Sequence, residues 1–430
     1  MRRRGGGSRQ RAVKKTSVTL VAAMAMVLLV ACAGGGRSAG VASRATPTAT
    51  TNWQPKPSVR LPAGMPASWR THPAMLRNGT RDPRIWPYPK RSIWNMPLGA
   101  DADLVPAGLR KPADVTLAVE EDILVATPDA PSRPIYYSPA GWDPNRSRCG
   151  ERTSRVLVAS APVAPGFRTD PGFFGRTPNH AAAILRPNGT LIETQPFHAC
   201  ADGSLVSMAA PPAWQGGSIL RGDTGRHIHR GAHGASGLTA YGGTIRLGEW
   251  VPGGVIPHAV KIEVWGARYL SHMNGGFRWP AHNADRYQHD GTGGLQAYGG
   301  AQAAMRMGSL LALPPDSKLV RRLHSPAAKI LARTLQRYGA YVVGNTGRDT
   351  VQFATEWGPS GRVLDQFQQA WGFPLFGSVH RTSGAQHEFL SDMKRIYKKL
   401  MVVDDNSPRH IGGRGKRLAP SAPPMAPLNP

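Results

Sequence analysis

Between Asn179 and His258 the chain gathers imidazoles and carboxylates at spacings that support acid/base chemistry. The stretch Asn179-His180 … Glu193-Thr-Gln-Pro-Phe-His198 straddles Pro187-Asn188-Gly189, a tight-turn signal, so His180 and Glu193 fall on neighbouring strands a few residues apart in register. If their faces match, they form a base and its orienter. Glu249 supplies a second carboxylate, which would partner Glu193 across a cleft as the acid and base, or nucleophile, of glycoside hydrolysis. A lyase would instead use His180 or His233 to abstract the proton beside a uronate carboxylate. His258, in Pro257-His258-Ala259, completes the catalytic candidates.

A second cluster runs Asp223-Thr-Gly-Arg-His227-Ile-His229-Arg230-Gly-Ala-His233. His227 and His229 share one face if extended, and His233 lies a turn away, a spacing open to a metal ion. The run resembles the first half of a cupin signature, but His233 stands where a glutamate is expected. His258 comes one residue late for the second half, and such a slip turns a strand side chain to the other face. Arg226 and Arg230 suit an anionic ligand better than a divalent cation, so the expectation is no cofactor. Trp265, Tyr269, Phe277, Trp279, Tyr287 and Tyr298 crowd a Gly-rich stretch with Arg278 among them. Flat rings beside Arg246 and Arg278 fit a groove for sugar rings bearing carboxylates, with Trp279 as a platform; packing in a core is the alternative.

These residues must be positioned by β structure. Runs at Val115–Thr127, Arg133–Tyr137, Ser154–Ser160, His180–Arg186, Thr190–Phe197, Gly243–Leu247, His258–Trp265 and Ser309–Leu313 read as short strands punctuated by Gly and Pro. A mainly β fold follows, a jelly-roll-like sandwich with a few C-terminal helices packed on it. Ser325-Pro326 opens one helix and Gly339 closes it; Ser360–Trp371 and Gln386–Met401 are two more. On the last, Phe389, Met393, Ile396, Tyr397 and Leu400 face inward, with Lys394, Arg395, Lys398 and Lys399 outward.

The N-terminus sets the compartment. Seven cations precede an apolar run from Val18 to Val30, too short to span a bilayer, and small residues follow. Leu29-Val30-Ala31-Cys32 resembles a lipobox, which implies that residues 1–31 are a lipoprotein signal peptide and Cys32 the acylated first mature residue. The protein is thus expected in the cell envelope, held to a membrane through this anchor. Residues 32–85, rich in Gly, Ala, Ser, Thr and Pro, read as a flexible tether. Residues 86–405 form a single domain and 406–430 an extended or disordered tail. Cys149 and Cys200 remain, without Cys-x-x-Cys spacing, and pair as one disulfide in an oxidising compartment. The net charge of +27 falls to +20 without the leader's seven cations. Such a surface attracts polyanions, here an anionic polysaccharide or cell-wall polymer; no nucleic-acid motif accompanies it.

Several segments resemble a widespread family of secreted bacterial proteins: His233-Gly-Ala-Ser-Gly-Leu, Gly242-Gly-Thr-Ile-Arg-Leu-Gly-Glu249, Ile256-Pro-His258-Ala, Arg278-Trp-Pro-Ala281, Met307 to Pro315, Leu335 to Val343 and Val402 to Asn406. The likeness covers roughly residues 90 to 420. It implies one domain containing both the strands and the late helices, and brings no catalytic assignment. Two functions follow: an exported carbohydrate-active enzyme, hydrolase or lyase, or a non-catalytic lectin-like or scaffold protein of the envelope.

Overall fold

The run Thr-Leu-Ala-Val-Glu-Glu-Asp-Ile-Leu-Val is rich in β-branched and aliphatic residues and forms a ten-residue strand near the centre of the sheet, with three acids inside it. The computed structural model describes residues 64–110, 116–143, 145–169, 179–291, 296–315 and 318–428. The leader, Cys32 and the tether before residue 64 lie outside them. Among the described residues, no helix is long and apolar enough to cross a membrane.

The strands are β1 (Leu104–Pro106), β2 (Thr116–Val125), β3 (Ser132–Tyr137), β4 (Val156–Pro162) and β5 (Ala182–Leu185). After β6 (Thr190–Ala199), β7 (Leu205–Ala209) and β8 (Gln215–Ser218) come β9 (Val260–Val264) and β10 (Leu310–Ala312). The last are β11 (Ala340–Asn345), β12 (Thr350–Gly358), β13 (Gly361–Arg362), β14 (Gly377–Ser378) and β15 (Met401–Val403). Helices are α1 (Gly266–Tyr269), α2 (Leu319–Arg322), α3 (Pro326–Arg337), α4 (Val363–Trp371) and α5 (Gly384–Lys398).

All the strands join one mixed sheet with the path β1-β15-β10-β11-β9-β12-β2-β5-β6-β7-β3-β4. The fold is therefore mainly β, as expected. The parallel pairs β2–β12, β2–β5, β9–β11 and β3–β7 are not pairings that an antiparallel jelly roll contains. The hairpin at Asn188-Gly189 forms between β5 and β6, with Gly189 at φ 79° and the Arg186 amide donating to the Thr190 carbonyl. Gly243-Thr-Ile-Arg-Leu, expected as a strand, runs as turns and coil with a single bridge from Ile245 to Thr355.

Alternation along the strands sorts the core. Val260, Ile262 and Val264 of β9, Val342 of β11 and Phe353 of β12 pack against Leu331 of α3, Phe367 of α4 and Phe389 of α5. Ser325 accepts the Ala328 amide and Pro326 occupies the first turn of α3, which ends at Gly339 with φ 79°. Helix α5 stops at Lys398, so Met401 begins β15 instead of ending the helix. On the opposite face, Tyr341 and Val343 meet Trp94, Leu238 and Ile411 from irregular segments. This second face carries the site.

Both ends of the described chain are bound into that cover. Trp69, His72 and Met75, from the expected tether, are buried. Arg81 donates to the carbonyls of Trp86, Pro87, Tyr88 and Pro423. Residues 406–428 have neither helix nor strand, yet Arg417 Nη1 donates to the carbonyls of Pro97, Ile411 and Gly413. Polar side chains that satisfy backbone groups let these segments pack without regular structure.

Cys149 and Cys200 form the expected disulfide across 51 positions. A loop of that length corresponds to about 4 kcal/mol of stabilisation in the chain-entropy model. The Cys149→Ser/Cys200→Ser variant should unfold at a lower denaturant concentration than the oxidised wild type, and the difference should vanish in reductant. Equal midpoints under oxidising conditions would contradict this.

Candidate active site

Residues opposite each other on neighbouring strands share a face, which places a row of charges on the second face of the sheet. Glu120 lies opposite Ala354, Asp122 opposite Glu356, and Glu263 opposite Gln352. Lys261, two residues before Glu263, joins the same face. Lys261 Nζ lies 2.7 Å from Asp122 Oδ2 and donates to the carbonyls of Ala240 (2.8 Å) and Thr239 (3.4 Å). Neither Lys261 nor Asp122 has any exposed surface.

Glu193 holds the same loop from the other side. Its Oε2 accepts the amides of Ala232 (2.7 Å) and Ala240 (3.0 Å), and its Oε1 the Thr239 hydroxyl. The Thr244 hydroxyl donates to Asp122 Oδ2 at 2.8 Å. Gly243 turns at φ 72° directly beneath the Trp94 ring, where a Cβ would come within 2.3 Å of it. The Gly-Gly-Thr motif therefore serves this close approach. His233 Nε2 lies 3.3 Å from Asp122 Oδ1, but neither ring nitrogen completes a hydrogen bond, and the ring is 1% exposed. Burial lowers its pKa to about 4, so it is neutral at pH 7.

At the far end the row opens. Glu120 and Asp285 are half-buried, and Glu263 is 8% exposed. Glu263 lies over Gly344, where a Cβ would fall 2.2 Å from its Oε1. Tyr298 donates to Asp285 Oδ2 at 2.6 Å, Tyr287 also hydrogen-bonds Asp285, and Asn345 donates to Tyr287 at 3.1 Å. Burial, then repulsion from Asp122 and Asp285, raises the Glu263 pKa to about 8. Burial, then repulsion from Glu263, raises Glu120 well above the carboxylate range. Burial also raises Asp285, against the hydrogen bonds from Tyr298 and Tyr287. One ammonium, Lys261, attracts Asp122, Glu193, Glu120 and Glu263 together. Four acids around one cation cannot all be ionised, so protons stay in the row near neutral pH.

The residues expected from sequence fall in three places. Glu193 and His233 meet around Lys261, both buried. His180 lies on the other face, because Glu193 sits opposite Ala183 and an odd offset separates Ala183 from His180. The His180 Nδ1 faces the Glu121 carbonyl at 2.9 Å, and its ring packs near His198 and Trp357. Burial, then His198, lowers its pKa to about 3. Glu249 and His258 come together in a separate knot: Glu249 accepts His258 Nε2 (3.2 Å), the Arg246 amide (2.7 Å) and His72 Nε2 (2.9 Å). His72 Nδ1 accepts the Ala74 amide, which leaves its proton on Nε2. Neither Glu193 nor Glu249 has exposed surface, and structural donors occupy both oxygens of each. They are pins for the covering segments, and the expected Glu193–Glu249 cleft does not form.

The other assignments change likewise. Arg246 is buried against Glu356, with Nε 2.9 Å from Oε2. Arg278 pairs with Asp404 at 2.8 Å, and Trp279 donates to the Gly225 carbonyl at 3.1 Å. These three hold the fold, not an open sugar platform. His227 is exposed, His229 packs on Gly217, and His233 faces Asp122, so the three histidines do not converge. Among the described residues, no group of three His, Cys, Asp or Glu is placed to hold a metal ion. Sequence reasoning missed Glu120, Asp122, Lys261, Glu263 and Asp285; the charged residues inside the strand-like runs 115–127 and 258–265 were the available signal for all but Asp285. Comparison with known proteins adds no assignment: no family model, curated protein or solved structure matches the chain.

The Glu249 knot has a pH signature. Burial pushes Glu249 up, but the attraction of His258 and the hydrogen bonds from His258 and His72 outweigh it and bring the pKa to about 2. A depressed carboxylate stabilises the fold above its unfolded pKa, and that stability is lost as pH falls through the folded value. Glu249→Gln should therefore be less stable than wild type by roughly 3 kcal/mol at pH 6, with the gap closing between about pH 4.5 and 2. Urea unfolding across this range checks it; a gap independent of pH would contradict it.

Proposed function

We propose that this chain is an exported, lipid-anchored carbohydrate-active enzyme that hydrolyses a glycosidic bond in a cell-wall or anionic polysaccharide. The observation that carries this reading is the half-open carboxyl cluster of Glu120, Glu263 and Asp285, with Glu120 on β2 and Glu263 on β9 flanking β12 in the sheet's polar row. Such hydrolysis needs one carboxyl that holds its proton at neutral pH and one that is ionised. Glu263, raised to about 8, fits the general acid. Asp285, with two phenols hydrogen-bonded to it, fits the base or nucleophile. The neutral His233 and the Lys261–Asp122 pair behind them keep that charge pattern fixed. His233, buried beside the row with Nε2 3.3 Å from Asp122 Oδ1, is neutral and adds no charge to it. A lyase fits less well, because it needs a cation to neutralise the uronate carboxylate, and the row's Lys261 is fully buried against Asp122.

The surplus positive charge then gathers anionic polymer on the outside, while the acid cluster acts on the bond. The leader and Cys32 support placement on the envelope. A second reading, a non-catalytic lectin-like or scaffold protein, is favoured by the structural occupation of Glu193 and Glu249.

Against a panel of cell-wall polysaccharides, Glu263→Gln should lower kcat by about 10³-fold, within the range of general acid catalysis. Melting temperature at pH 6 should stay unchanged, because glutamine mimics the protonated acid. Wild-type turnover should fall on the alkaline side with a midpoint near 8. Full activity in Glu263→Gln would refute the assignment; binding without turnover by wild type would select the second reading.

A further inference from the structure

Away from the acid row, a cavity of about 130 Å³ opens between α3, the segment around Trp69 and residues 418–420. Its walls are mixed, with Trp69, Ile256 and Pro420 beside Arg333, Thr334 and Arg337. Arg333 and Arg337, one helical turn apart on α3, stand at it with exposed side chains. Neither is in an ion pair among the described residues, unlike Arg246, Arg278 and Arg362. Tyr338 also lines the cavity; it is 3% exposed, and its hydroxyl has no hydrogen-bond partner.

We infer that this cavity is a binding subsite for one sugar ring carrying a carboxylate. Its size suits a single ring, and an apolar wall accepts the C–H face of a sugar. Two guanidiniums present forked donors to one carboxylate. Arginines without an acidic partner distinguish this cavity from the acid row, where Lys261 and Arg246 are already matched. The inference rests on the reading of the chain as acting on envelope polysaccharide and names the unit it holds: an acidic sugar, bound at a distance from the bond that is cleaved.

Calorimetric titration of the full chain in the Glu263→Gln background, which slows turnover about 10³-fold, with trigalacturonate and its methyl ester tests this. The acid should bind at least tenfold more tightly than the ester. Arg333→Ala/Arg337→Ala should weaken binding of the acid at least tenfold without moving the melting temperature. Equal binding of acid and ester, or affinity within twofold in the double variant, would overturn the proposal. Displacement by inorganic phosphate at the same concentration as the sugar acid would show a general anion site and overturn the sugar assignment. Acid-selective binding alongside absent wild-type turnover would sink the catalytic reading alone; turnover without acid-selective binding would sink only this subsite.

Discussion

The buried ion pair between Lys261 and Asp122 is the constraint on which the second face of the sheet depends. Lysine and aspartate without exposed surface are costly unless partners meet their protons and lone pairs; Asp122 Oδ2 takes Lys261 and the Thr244 hydroxyl, while Oδ1 faces His233 at 3.3 Å. Lys261 has three protons and three acceptors: Asp122 and the carbonyls of Thr239 and Ala240. Glu193 takes the amides of the same loop. A cation that binds the carbonyls and an anion that binds the N–H groups replace the ladder that this irregular segment lacks. Removing either member of the ion pair leaves a bare buried charge, which costs about 3–5 kcal/mol in comparable cases.

The remaining cover is built on the same logic. Glu249 ties residue 72 to residue 258 through two imidazoles, and Arg81 collects carbonyls from both ends of the described chain. Packing on the helical face relies mainly on area, because β9, β11 and β12 present apolar residues to α3, α4 and α5, with buried Asp392 accepting the His324 and Ser325 amides at the start of α3. The two faces thus use different physics: area burial on one, matched polar groups on the other. Arg246 is matched to Glu356 and Lys261 to Asp122, which leaves the excess acid of the polar face without a cation of its own among the described residues. It collects protons where the row reaches solvent, at Glu263, Glu120 and Asp285.

Local signals were legible in the sequence. Asn188-Gly189 located its hairpin, Ser325-Pro326 and Gly339 bounded α3, and two cysteines left after the leader paired. The β-rich class followed from strand spacing, although the parallel pairings did not, because strand order is set by contacts distant in sequence. His72 was out of reach: it sits in a Pro-rich segment without period, 177 residues from Glu249. The faces of His180 and Glu193 turned on a single residue of register, which alternation alone does not settle. Glu120 and Glu263 looked like polar interruptions in strands, since only the placement of β12 between β2 and β9 brings them to one row.

The central claim is that crowding of acids around one lysine leaves protonated carboxyl groups at the open end of the sheet. Carbon-13 NMR of the glutamate side-chain carboxyls, with the Glu263 signal assigned by its loss in Glu263→Gln, reads this directly. The account predicts a Glu263 midpoint close to 8, falling toward the ordinary carboxylate range when Asp285 is replaced by asparagine. A wild-type midpoint already in that ordinary range would contradict it.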